Sequence, residues 1–112
     1  MVGREYRVVG DVDAYGITRD LQSEAASYIT LIPLPGIGGP EVVFRRRIAK
    51  GTTFRIRSAR HHFMLFDNGT EYVIDLRDAE IAQGLEVHIG LFRGNEAGPV
   101  DLNPRLYEHL RR

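Results

Sequence analysis

Apolar and polar residues alternate with a period of two along much of this chain, and that alternation marks strands with one face turned inward. Arg4 to Val9 reads as a strand with Tyr6 and Val8 on one side. Thr52 to Ser58 repeats the pattern, Phe54 and Ile56 facing one way and Arg55 and Arg57 the other. Leu85 to Arg93 alternates through Leu85, Val87, Ile89 and Leu91. Ser27 to Ile32 and Glu41 to Arg46 are rich in β-branched and aromatic residues and read as two further strands. Between these segments, Gly10 to Gly16 reads as a polar turn region, Ala49-Lys50-Gly51 as a turn, and Asp78 to Gln83 as a single helical turn. Residues 33–40, Pro-Leu-Pro-Gly-Ile-Gly-Gly-Pro, propagate neither a helix nor a central strand and form a loop.

Two segments carry helical signals. Thr18 to Ala26 fits a short helix, with Thr18 as N-cap and Ile17, Leu21 and Ala25 spaced by four. Residues 103–112 open with Asn103 as a cap and Pro104 in the first helical position, which predicts a short terminal helix with Leu106 and Leu110 inward.

Asn68-Gly69 lies between the apolar runs Phe63–Phe66 and Tyr72–Ile74, and Asn-Gly is the dipeptide a type I′ hairpin turn favours. A two-residue turn there sets Leu65 opposite Tyr72, Phe63 opposite Ile74 and His62 opposite Asp75. Phe63, Leu65, Tyr72 and Ile74 then share one face, while Met64, Phe66 and Val73 occupy the other and need a cover, either the terminal helix or another chain. A parity constraint follows. Core positions are even in Thr52–Ser58 and odd in Phe63–Leu65, so the chain must bulge, bend or break near Ser58-Ala59-Arg60. The fold expected is mainly β: a small bent antiparallel barrel or roll of SH3-like or OB-like size, formed as a single domain over 1–112.

Composition narrows the function classes. The 112 residues are 43% hydrophobic, enough for one packed core, and no apolar run is long enough to span a bilayer as a helix. Fifteen basic residues balance fifteen acidic ones, which disfavours an obligate nucleic-acid or membrane-surface binder and makes self-association electrostatically cheap. Cysteine is absent, so thiolate nucleophiles, disulfides and zinc–sulfur sites are excluded together. Arginine outnumbers lysine, of which Lys50 is the sole example, a bias of GC-rich genomes that suggests a bacterial source. Met1 to Glu5 has no apolar continuation, so no signal peptide is expected, and cytoplasm and periplasm both remain open.

Candidate chemistry is sparse. Arg45, Arg46, Arg47, Lys50, Arg55, Arg57 and Arg60 form a run without an acid, suited to phosphates, but the acidic stretch from Asp67 to Glu86 offers the same arginines cross-strand partners. His61 and His62 are neighbours on a strand and point apart, so no metal site is expected. Glu86 and His88 lie two apart on one face and could form an acid–base couple if a pocket adjoins them. The glycines of residues 36–39 lack the lysine and helix of a phosphate loop.

The reading favoured is a non-catalytic β domain, without cofactor, that binds another macromolecule, with protein preferred, as an accessory or inhibitory module. Its partner-binding candidates are Met64, Phe66, Val73 and Ile37. A polyanion or single-strand-binding barrel using Arg45, Arg46, Arg47, Arg55 and Arg57 is the second reading, and a small enzyme around Glu86 and His88 the third.

Overall fold

The described residues form ten strands and one helical turn: β1 (Glu5–Val8), β2 (Val12–Ile17), β3 (Tyr28–Pro33), β4 (Val42–Arg47), β5 (Thr53–Met64), β6 (Asp67–Leu76), α1 (Ala79–Ala82), β7 (Val87–Gly90), β8 (Glu96–Ala97), β9 (Asp101–Leu102) and β10 (Tyr107–Leu110). The structure, a computed structural model, describes residues 2–64 and 67–111, with side chains at all of them except 62–64, 67 and 68. Half of the chain is strand, and the class is mainly β.

Eight strands form one sheet in the order β10-β1-β5-β6-β7-β3-β2-β4, antiparallel except for the parallel β3–β7 pair, and β8 and β9 form a separate two-stranded ribbon. β4 and β10 are its edges, so of the bent barrel or roll expected from the sequence no closed barrel forms among the described residues. The sheet is bent instead. Ile48 N–H bonds Val12 O and Gly51 N–H bonds Val8 O, carrying the β2–β4 pairing around a corner into the β1–β5 pairing. Residues from both sides of that corner, Val8, Val12, Ile29, Phe54, Ile74 and Tyr107 among them, share one core.

β2 replaces the polar turn read over Gly10–Gly16. Its six residues are all buried, which the sequence hides behind Asp13 and Gly16. Gly16 is required because the Phe44 ring lies only 2.1 Å from where its Cβ would stand. Tyr15, Ile17 and Ile32 face away from the main core and form a second cluster, capped by Ile37 of the Pro/Gly loop with Tyr28 and Val42.

Neither expected helix forms. Over 18–26 the polar side chains capture the backbone instead: Thr18 Oγ1 accepts from Asp20 N–H, Asp20 Oδ1 from Gln22 N–H, and Ser23 Oγ from Ala25 N–H. Leu21, which a helix would have buried, is 67% exposed. At the C-terminus, Asn103 caps a single turn, Oδ1 accepting from Arg105 N–H and the carbonyl from Leu106 and Tyr107. Then the chain extends as β10 along β1, because β1 is paired by β5 on one side only and its other edge is open. Leu106 still packs on the core, but Tyr107 is the residue that enters it.

The Asn-Gly turn is also corrected. The β5–β6 ladder runs on to Met64↔Asp67, and Asn68 and Gly69 sit within β6 opposite Phe63 and His62. Ala59, not Leu65, lies opposite Tyr72, and Asp75 faces Arg55 rather than His62. The partner moves by six residues at Tyr72 and by seven at Ile74 and Asp75, the difference being the bulge, and Tyr72 and Ile74 still occupy the core face assigned to them. The parity constraint holds, and the register shifts between Ile56 and Ser58, leaving Arg57 as the extra residue.

Candidate functional site

The charged residues of the sheet fall into local pairs set by strand register. Arg45 and Arg47 stand opposite Tyr15 and Asp13 on β2, and both reach Asp13: Arg45 Nε lies 2.6 Å from Oδ2, and Arg47 Nε bonds Oδ1. Burial alone would raise the Asp13 pKa, but the two guanidinium hydrogen bonds outweigh it and hold the carboxyl below its usual range. Arg45 also lies over the Tyr15 ring, 5.2 Å from its centroid. Arg46 points the other way, 3.9 Å from Glu80 of α1, and Lys50 lies 3.5 Å from Asp11. On β5, Arg57 is 3.1 Å from Asp75. Arg55, opposite Glu5 and Asp75, makes no ion pair with a described residue. The Arg45–Arg47 run thus meets acids both upstream and downstream, and is neutralised within its own fold.

A denser cluster surrounds His88. The imidazole sits on β7 with its side chain 4% exposed, Nδ1 2.7 Å from Glu71 Oε1 of β6 and Nε2 bonded to Glu86 Oε1. Arg60 of β5 donates to both Glu86 oxygens at 2.7 and 3.0 Å. The Tyr28 ring of β3 stacks on the imidazole at 4.8 Å, and the Arg19 guanidinium lies over the Tyr28 ring, 4.4 Å from its centroid. Burial penalises the charged imidazole, but the Glu71 carboxylate beside Nδ1 and the Glu86 carboxylate bonded to Nε2 outweigh it and raise its pKa. Arg60 first and His88 second pull Glu86 down to about 2. Arg60 and a protonated His88 thus face the carboxylates of Glu86 and Glu71.

An open cleft of about 390 Å³ adjoins this cluster, lined by Thr18, Arg19, Tyr28, Glu41, Arg60 and Glu71 together with His88. Concavity is thus present beside Glu86 and His88. The chemistry is a different matter. A general base needs one imidazole nitrogen with a lone pair turned to substrate, whereas here both nitrogens face carboxylates of the same chain. The Thr18 hydroxyl is engaged with both backbone groups of Asp20. The cluster acts as a clamp joining β3, β5, β6 and β7.

Sequence reasoning placed Glu86 and His88 on one side but missed Glu71, Arg60, Tyr28 and Arg19. Only the correct β5–β6 register and the parallel β3–β7 contact bring these four together, and neither leaves a mark in local patterning.

The four partner-binding candidates separate. Val73 is 1% exposed, in register with His88, so it packs within the sheet. Ile37 is half-buried over Tyr15 and Ile32. The Met64 side chain and Phe66 lie outside the described residues. The backbone around them is informative even so. The segment leading into β1 leaves β5 after Ile56, whose N–H bonds Arg4 O and whose carbonyl accepts from Gly3 N–H, and β7 leaves β6 after Glu71 with a last bond from Leu91 N–H to Thr70 O. The pairs His62↔Gly69, Phe63↔Asn68 and Met64↔Asp67 thus continue beyond the sheet with no described strand on either flank. Three pairs at ~3.3 Å each project about 10 Å.

Among the described residues no group of three or more His, Asp or Glu could hold a metal ion, and no helix is long and apolar enough to cross a membrane. No protein-family model, curated protein or solved structure matches the chain.

Proposed function

We propose that the chain is a non-catalytic β domain that binds another protein through the β5–β6 extension. The observation that carries this reading is the ladder from His62↔Gly69 to Met64↔Asp67, which outruns both neighbouring strands and carries the start of the apolar sequence run, Phe63-Met64, beyond them. A two-stranded ribbon is marginal by itself in water, and an apolar run at its end gains most when a partner covers it. Along β5 from Arg57 onward the outer edge also has no strand beside it among the described residues, which suits a partner that adds backbone hydrogen bonds. Two features favour binding over catalysis or polyanion capture: the carboxylate contacts at both His88 nitrogens, and the engagement of Arg45 and Arg47 with Asp13.

A photo-crosslinking residue at position 63, with one at exposed position 21 as control, tests the reading in cells of the source organism. The expected result is a discrete adduct at 63 only, lost with Phe66→Asp, whose mass distinguishes a second copy from a different protein. No adduct at 63, or the same adducts at both positions, would overturn it.

A further inference from the structure

We propose that the open cleft formed by β1, β5 and β10 is an oxyanion site for a small phosphate ester. This cleft lies away from the His88 cluster, and the Arg45–Arg47 run does not line it. It encloses about 790 Å³ and is lined by Arg4, Glu5, Arg55, His109, Leu110 and Arg111, a volume in the range of small-ligand sites.

The charge is what singles it out. Elsewhere on the sheet the cations are matched: Arg7 with Glu108, Arg45 and Arg47 with Asp13, Arg57 with Asp75, Arg60 with Glu86. Arg55 and Arg111 make no ion pair with a described residue, and both line this one cleft. Asp75, which register places opposite Arg55, is drawn to Arg57 instead at 3.1 Å. The bulge at Arg57 allows this, because the extra residue puts a second arginine beside the same carboxylate. Arg55 and Arg111 thus bring to the cleft two guanidinium groups that no described carboxylate holds in an ion pair.

That charge matches a phosphate monoester dianion better than a carboxylate. Guanidinium groups suit phosphoryl oxygens because their planar forks donate two parallel hydrogen bonds. The half-buried Leu110 gives the ester's organic group an apolar wall that free phosphate would not use.

Amide NMR titrations of the whole chain at constant ionic strength, with inorganic phosphate and with phenyl phosphate as probes, test the site. The expected result is saturable shifts at Gly3, Arg55 and His109, with phenyl phosphate binding the more tightly. An Arg55→Gln/Arg111→Gln double variant should bind about tenfold more weakly or worse, since charge-assisted hydrogen bonds are lost. An Arg77→Gln/Arg105→Gln variant, which removes the same charge from exposed positions outside the cleft, should bind as the parent does. Shifts that never saturate, or equal weakening by both double variants, would overturn the site. Equal affinity for the two probes would overturn the ester. None of these outcomes bears on the β5–β6 extension, so this site and the protein-binding reading stand or fall separately.

Discussion

Tyr107 donates its hydroxyl hydrogen to Asn95 Oδ1 across 2.5 Å, and Asn95 Nδ2 donates in turn to the Leu31 carbonyl at 2.8 Å. Both side chains are fully buried, and burial raises the Tyr107 pKa, keeping the phenol protonated as the donor. The link ties the last strand to β3 through the loop before β8.

Tyr107→Phe removes the donor and leaves Asn95 Oδ1 buried without it. A loss of about 1–3 kcal/mol is expected, read from urea unfolding. Truncation after Leu102 deletes β10 altogether, uncovers the β1 edge and empties the Tyr107 site. That chain should aggregate or fail to unfold cooperatively. Unchanged stability of the truncated chain would mean that β10 is not part of the cooperative unit.

Gly36 and Gly38 should respond oppositely to alanine. Gly36 has φ +89°, and a Cβ there would stand 1.8 Å from the hydroxyl of the fully buried Tyr15. At Gly38 a Cβ meets nothing within 4 Å. Gly36→Ala should cost about 1–3 kcal/mol from strain and overpacking, and Gly38→Ala should be near neutral. Thermal melts of the two variants check this directly.

Reversing Arg45 and Arg47 to glutamate would set two more carboxylates against buried Asp13. The loss should appear in stability, at about 2–4 kcal/mol, rather than in binding of an oligonucleotide. Asp13→Asn in the same background should recover part of it. Salt-sensitive oligonucleotide binding by the parent, abolished by the reversal, would restore the polyanion reading.

The His88 clamp should give stability a pH signature with two limbs. The His88 pKa is raised in the fold, so its contribution is complete below the unfolded value of 6.5 and fades as pH climbs through the higher folded value. The Glu86 pKa is lowered from 4.5 to about 2, so its contribution is present above 4.5 and fades as pH falls toward 2. Denaturant midpoints across this range should decline at both ends. His88→Gln should lose about 2–4 kcal/mol near pH 6 and should lack the decline above pH 6.5. A variant that keeps the parent's alkaline decline would show that another group is responsible.

Alternation along the chain marked β1, β7 and the first half of β5, because side chains on an extended backbone must point to opposite faces wherever the strand pairs, while β-branched and aromatic content marked β3 and β4. The bulge followed from the change of parity between Phe54 and Ile56 and the later Phe63 and Leu65, and it lies at Arg57. Single-turn signals were legible too, in Asp78 accepting from Ile81 N–H at α1 and in the Asn103 cap. What only the tertiary structure decided was the outcome of competitions between local and distant interactions. Asn-Gly favours a turn, but cross-strand pairs such as Ile56↔Ile74 and Arg55↔Asp75, extended by β7 on the far side, fix a register that carries it into β6. Asn103-Pro104 starts a helix, yet an open β1 edge and a core site for Tyr107 draw the chain out after one turn. Asp13 and Gly16 read as turn residues until Arg45, Arg47 and Phe44 stand beside them, and then β2 becomes a fully buried strand. A turn or cap preference is worth about 1 kcal/mol, whereas burying one large side chain is worth about 1.5–3. Where the two disagreed along this chain, burial prevailed.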